Sequence, residues 1–355
     1  MRAFFDANTM RTLEWDPTSY KLRMIDQRIL PRTFKVVTLD TYQAVAEAIT
    51  TMVVRGAPAI GASAAFCIAL AACRSQAKDL AGLRRDLKTA ACVLGASRPT
   101  AVNLAWALKR MMKIVDTEGS SVELLTGKLI DEAQTIADED VAINQKIARY
   151  GATLIEDGDT IIHHCNTGAL ATVDWGTALG VIRMAHQLGK RIHVLVDETR
   201  PRLQGARLTA WEFGQYGIPY DIICDGAAGY FLSRGLAQKV FFGADRVTEN
   251  GDVANKVGSY MLALAARDNQ VPVYSVFPLS SIDFSLKEGR EIPIEERDGV
   301  EVLDIEVKGE PVTPIGATAR NPAFDITPHL LITAWVTEKG VIYPPFDQAF
   351  PTHVN

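Results

Sequence analysis

Between residues 160 and 277 this 355-residue chain repeats one pattern: a short apolar run, then a stretch able to form a helix. The runs are Thr160–His164, Ile192–Val196, Asp221–Cys224, Val240–Gly243 and Val273–Phe277. Helix-compatible stretches lie at Leu170–Leu188, Gln204–Tyr216, Ala227–Ala237 and Ala254–Ala266. Runs this short and apolar fit strands buried on both faces, and parallel strands need a crossover long enough to hold a helix. The pattern predicts an α/β chain whose second half is a doubly wound parallel sheet with right-handed crossovers. Ligands of such sheets bind beyond the carboxyl ends of the strands, so the residues after each run are where chemistry is expected.

Those residues are polar. Cys165-Asn166-Thr167-Gly168 follows the first run and Asp197-Glu198-Thr199-Arg200-Pro201 the second; Asp225-Gly226-Ala227 and Gly243-Ala244-Asp245-Arg246 follow the third and fourth. A thiol where a strand feeds a helix would meet unpaired N–H groups and a partial positive charge, which favour the thiolate, so Cys165 is the leading catalytic candidate. Asp245 reads either as a cap or partner of Arg246, or as a general acid with its pKa raised by apolar walls. Sharing a rim with Cys165 favours the acid. Cys67, Cys73 and Cys92 lie on apolar helix faces, and Cys224 lacks the Asn-Thr-Gly turn, so all four read as core. His163 and His164 alternate across the strand, and only one can share a face with Cys165. No fourth ligand stands at a recognisable spacing, so a metal site is rejected.

The first half has another rhythm. Short extended pieces at 12–15, 21–26 and 34–37 precede helical patterns from residue 40 to 150, which predicts a small β-sheet followed by a helical bundle. A domain boundary near 145 gives an N-terminal domain over 1–145 and a catalytic domain over 146–355. The longest apolar stretch, Pro58 to Cys73, is built largely of Ala and Gly and reads as a buried helix, not a membrane span. Asp6 comes too early for a secretory signal. Lys+Arg 37 against Asp+Glu 42 leaves −5, which argues against broad binding of nucleic acid or acidic membranes. Five cysteines with no C-x-x-C pair fit a reducing compartment, and a soluble cytoplasmic protein is expected.

A second set of residues suits an anion. Arg55-Gly56-Ala57-Pro58, Arg98-Pro99-Thr100, Gln204-Gly205-Ala206-Arg207 and Asn255-Lys256 each stand at an expected helix start. Singly each reads as a cap or a solvated charge. Together they suggest a small anionic ligand gripped between the two domains. No G-x-G-x-x-G or G-x-x-x-x-G-K-[ST] occurs at a β-to-α turn, so neither a dinucleotide nor a nucleoside triphosphate is supported.

Arg55-Gly56-Ala57-Pro58-Ala59-Ile60-Gly61, His164-Cys165-Asn166-Thr167-Gly168-Ala169-Leu170-Ala171-Thr172 and Asp197-Glu198-Thr199-Arg200-Pro201 resemble segments of the 5-methylthioribose-1-phosphate isomerase family. So do Gln204-Gly205-Ala206-Arg207-Leu208-Thr209-Ala210-Trp211-Glu212, Gly243-Ala244-Asp245-Arg246, Asn250 to Lys256 and Asn321 to Asp325. The resemblance implies a cofactor-free aldose–ketose isomerase of methionine salvage, working as a homodimer, with the doubly wound C-terminal domain Rossmann-like. It makes Cys165 and Asp245 the catalytic pair, and Arg55, Gly56, Ala57, Arg98, Gln204, Asn255 and Lys256 the substrate-binding residues. Ribose-1,5-bisphosphate isomerase and the regulatory subunits of a translation-initiation guanine-nucleotide exchange factor are the rival readings. The latter, being binding proteins, have no need of the Cys165 and Asp245 pair.

Overall fold

The structure, a computed structural model, describes residues 10–98 and 102–346. Asp6, Pro99 and Thr100 lie outside them. The chain divides into two units, one of residues 1–145 and 167–176, the other of residues 146–166 and 177–355.

In the first unit, β1 (Leu13–Asp16), β2 (Lys21–Ile25) and β3 (Val36–Leu39) form an antiparallel meander. Helices α1 (Tyr42–Thr50), α2 (Ala57–Arg74), α3 (Leu80–Ser97), α4 (Val102–Thr117) and α5 (Val122–Ala152) follow, the unit boundary falling within α5. Helix α2 is long and apolar enough to cross a membrane, yet 78% of it is buried inside the protein. A helix apolar on all sides is a core helix, and its small residues let neighbours come close. A Cβ at Gly61 would lie 3.1 Å from the Asn103 carbonyl of α4. Trp15 of the sheet stacks on Phe66 of α2, with ring centroids 5.7 Å apart.

The 167–176 segment is bonded into this unit. Thr12 donates its N–H to Val173 O and its hydroxyl to Ala169 O, and Gln27 Nε2 donates to Leu170 O. Asp140 Oδ2 accepts the Val173 N–H at 2.8 Å. Burial pushes the Asp140 carboxyl up to about 7.

The second unit holds β4 (Thr160–His163), α6 (Ala178–Gln187), β5 (His193–Asp197), α7 (Ala210–Tyr216), β6 (Tyr220–Ile223), α8 (Ala228–Ser233) and β7 (Lys239–Phe242). Then come β8 (Arg246–Thr248), β9 (Val253–Lys256), α9 (Ser259–Asp268), β10 (Val273–Val276), β11 (Ile282–Asp283) and α10 (Val300–Leu303). The chain closes with β12 (Glu306–Val307), β13 (Glu310–Pro311), β14 (Phe324–Thr327), β15 (Ala334–Thr337) and β16 (Gly340–Ile342). The main sheet runs β6-β5-β4-β7-β10-β15-β16, parallel throughout except for the last pair. All five runs read from the sequence are strands of it. Counted along the chain, its parallel strands stand in the order 3-2-1-4-5-6, so the winding direction reverses between β4 and β7.

Two expected helices start late. The one read over Leu170–Leu188 begins only at Ala178, because residues 167–176 first join the other unit. The one read over Ala254–Ala266 begins at Ser259, because Val253–Lys256 is a strand of a second sheet, β11-β8-β9-β14. Its partner β14 lies some seventy residues onward, beyond the reach of local pattern: Asn255 pairs with Asp325.

Candidate active site

The switch point between β4 and β7 brings Cys165 and Asp245 to the carboxyl ends of adjacent parallel strands, which pair Ile161 with Lys239 and His163 with Phe241. Cys165 is buried, 7% exposed, and adopts φ 65°, a left-handed conformation uncommon outside glycine. Two buried threonines hold it there. Thr199 Oγ1 accepts the Cys165 N–H at 2.9 Å, and Thr209 Oγ1 donates to the Cys165 carbonyl at 2.7 Å. Thr209 and Glu212 also receive Asn166 Nδ2, at 3.1 and 2.8 Å. No α-helix starts behind the thiol, since α6 begins thirteen residues later, so the helix-terminus argument for Cys165 is corrected. Backbone clamping by Thr199 and Thr209 places the residue instead.

Asp245, half-buried, donates its backbone N–H to Ala254 O at 2.9 Å, which ties it to β9. Its neighbour Arg246 reaches Asp283 at 3.6 Å. On β9, Asn255 is buried and donates Nδ2 to Ser259 Oγ at 2.8 Å. Lys256 Nζ donates to Ala323 O at 2.8 Å and lies over the Phe324 ring at 4.6 Å. Both residues therefore come from a strand, not from a helix start as expected.

Gln204 arrives from the loop after β5. Leu203 N–H donates to Thr199 O, and Gly205 packs so closely on the strand end that a Cβ there would fall 1.7 Å from Asp197 O. Gln204 Oε1 is buried with no protein partner among the described residues, which leaves an acceptor for a ligand hydroxyl. Cys165, Asp245, Gln204, Asn255 and Lys256 thus all sit on one rim of the second unit.

Arg55, Gly56, Ala57 and Arg98 belong to the first unit. Gly56 precedes α2 with φ 92°, and a Cβ there would fall 2.3 Å from Ala171 O, so only glycine fits. Arg98 caps the carboxyl end of α3.

The residues that sequence reasoning undervalued lie beneath Cys165. His164 is wholly buried; its Nδ1 meets Asp197 Oδ2 at 2.8 Å and its Nε2 meets Val257 O at 3.0 Å. Since Val257 O can only accept, Nε2 carries a proton. Burial opposes charging the ring, but the hydrogen bond and charge of Asp197, with Asp225 behind, raise the His164 pKa. Burial pushes Asp197 up to about 6 against the pull of His164. Both shifts favour a proton held within the pair. Ligand atoms of His164, Asp197 and Asp225 lie within 4.8 Å of one another, as a metal site would need. Both ring nitrogens of His164 are spent on protein partners, however, and Asp225 accepts the N–H groups of Thr199 and Arg200 at 2.7 and 2.8 Å. The trio is a hydrogen-bonded scaffold. The clue available in sequence was position alone: His164 and Asp197 each end a strand of the pattern. His163, on the opposite face, is buried edge-on to Phe213, and burial takes its pKa down to about 3.

The other cysteines divide differently from expectation. Cys67 is buried, and burial pushes its thiol well up. Cys73 is only half-buried, while Cys92 and Cys224 are exposed, the latter because β6 is an edge strand.

The initiation factor 2 subunit family has a sequence profile that matches residues 53–344. A methylthioribose-1-phosphate isomerase of a Synechococcus species is 51% identical over 339 residues, 96% of each chain. The crystal structure of 5-methylthioribose 1-phosphate isomerase from Pyrococcus horikoshii OT3 matches with TM-score 0.91 and 44% identity, over 97% of this chain and 96% of that one. A crystal structure described as translation initiation factor eIF-2B subunit delta from A. fulgidus matches with TM-score 0.85 and 40% identity, over 97% and 98%.

Proposed function

The chain belongs to the initiation factor 2 subunit family, and on that premise we propose that it is an aldose–ketose isomerase converting 5-methylthioribose 1-phosphate to 5-methylthioribulose 1-phosphate. The observation that carries this reading is the pairing of a strained, clamped Cys165 with Asp245 at the switch point of the sheet. A binding protein has no need to hold a thiol in a left-handed conformation between two buried hydroxyls. Near-complete coverage at 51% identity to an isomerase supports the same choice over a regulatory subunit.

The substrate's C1 carries phosphate, so the sugar is locked as a ring with no free aldehyde. Asp245 donates a proton to the ring oxygen as the C1–O bond breaks, leaving positive charge at C1. Hydrogen then moves from C2 to C1 by one of two routes. In one, Cys165 as thiolate takes the C2 proton, an enediol forms, and a proton returns to C1 as the 2-hydroxyl proton leaves and the ketone forms. In the other, hydride passes directly from C2 to C1 and the 2-hydroxyl proton leaves as the ketone forms. A water-poor site favours both by protecting the intermediate. Gln204, Asn255, Lys256, Arg55, Gly56, Ala57 and Arg98 bind the sugar phosphate. The enzyme works in the cytoplasm, as a homodimer and without cofactor.

Purified protein assayed on 5-methylthioribose 1-phosphate and on ribose 1,5-bisphosphate tests the assignment. Turnover of the first, undiminished by a chelator, is expected; preference for the bisphosphate overturns it. With C2-deuterated substrate in water, label retained at C1 marks the hydride route and label lost marks the enediol.

A further inference from the structure

The His164 ring joins three elements of the second unit. Its backbone ends β4 beside Cys165, its Nδ1 meets Asp197 at the end of β5, and its Nε2 holds Val257 O, the residue after Asn255 and Lys256. The fit is close on the turn side. Gly258 takes φ 108°, and a Cβ there would fall 2.7 Å from His164 Cε1, so ring and turn are shaped to each other. On its other side the turn is fastened by Asp325, which accepts the N–H groups of Gly258 at 2.7 Å and Tyr260 at 3.2 Å. Ser259 Oγ donates to Lys256 O at 2.8 Å and receives Asn255 Nδ2, which locks both residues to the same turn. Asp225, Glu198 and Asp325 are the acids facing the pair, and His163 the neighbouring base.

We propose that His164 is a positioning residue: clasping the Val257–Gly258 turn, with Asp197 orienting the ring, it sets Asn255 and Lys256 against the strand that bears Cys165. This rests on the isomerase reading. It assigns His164 an effect on substrate binding although the ring is wholly buried and touches no reacting atom.

Two substitutions split the ring's bonds. In His164→Asn the amide reaches only as far as Nδ1 did, keeping Asp197 and losing Val257 O; in His164→Gln the amide nitrogen reaches Val257 O. His164→Asn should raise KM for 5-methylthioribose 1-phosphate about tenfold, the loss of one buried hydrogen bond, and His164→Gln should restore KM to within about threefold of wild type. Hydrogen exchange gives a readout that needs no activity: amides 257–260 should exchange faster in His164→Asn than in wild type or His164→Gln. Gly258→Ala drives a methyl onto the ring and should reproduce the His164→Asn pattern from the turn side. Equal KM values with unchanged exchange across the variants would overturn the clasp. A wild type that leaves the substrate untouched would sink the isomerase reading instead, while exchange would still decide the clasp.

Discussion

Two parallel strands of one sheet, β4 and β6, each lead within two residues into a cysteine followed by polar residues, yet the outcomes differ in every respect. Cys165 stands at the switch point, buried, with φ 65° and both backbone groups bonded to threonines. Cys224 stands on the edge strand, exposed, with an ordinary extended backbone at φ −64°. What separates them is neighbours. A strand in the middle of the sheet has a second strand end on each side to supply Thr199 and Asp245, whereas an edge strand has one. Position in the strand order, more than residue type, buries one thiol among bonded neighbours and leaves the other at the surface.

The largest effect expected from this contrast is on turnover. Cys165→Ser and Asp245→Asn should each lower kcat by more than about a thousandfold, the scale of removing an essential acid or base, with little change in melting temperature. Cys224→Ser should leave kcat unchanged. Activity in Cys165→Ser near that of Cys224→Ser would erase the distinction.

A second contrast tests how tightly the two strand ends are packed. Gly205 presses on the end of β5, where a Cβ would fall 1.7 Å from Asp197 O, while Gly226 beyond β6 has nothing within 4 Å. Gly205→Ala should cost about 3 kcal/mol or more in urea unfolding, because backbone must shift. Gly226→Ala should stay within about 0.5 kcal/mol. Equal midpoints for the two variants would show that the Gln204 loop can yield, and that the close approach is not needed to seat it.

The sequence carried the sheet well because buried parallel strands advertise themselves as short apolar runs, and all five were legible. It pointed to Cys165 and Asp245 as candidates because ligands of such sheets bind beyond the strand ends, and the structure places both after the ends of adjacent strands. It carried less of what holds them. Thr199 and Thr209 look like any threonines, and a positive φ at Cys165 leaves no trace in residue type. The strand Val253–Lys256 was read as helix because Val-Ala-Asn-Lys suits either state and its partner lies far along the chain. The same limit misplaced the start of the helix behind Cys165: residues 170–176 are helix-compatible in isolation, but bonds of this segment to Thr12, Gln27 and Asp140 claim it first. Ending an apolar run without the Asn-Thr-Gly turn suggests burial for Cys224, but that pattern cannot distinguish an edge strand from a central one.

The smallest expected difference lies between two histidine–aspartate pairs that bridge neighbouring strands, His164–Asp197 from β4 to β5 and His193–Asp221 from β5 to β6. His164 and Asp197 are 0% and 2% exposed; His193 and Asp221, also in contact at 2.9 Å, are 38% and 73% exposed. The buried pair is raised at both members, so the folded protein keeps a proton that the unfolded chain releases. A raised folded pKa gives stability that is present at low pH and declines as pH climbs through the folded value. In Asp197→Asn the amide can donate to Nδ1 while Nε2–H still reaches Val257 O, so the bonds survive without the extra proton. Melting curves of this variant should therefore gain on wild type by about 1–2 kcal/mol between pH 5 and pH 8. Asp221→Asn should run parallel to wild type, within about 0.5 kcal/mol at every pH, since water screens an exposed pair. If both variants track wild type in parallel, the buried pair holds no proton beyond that of a free histidine, and His164 clasps the turn as a neutral ring.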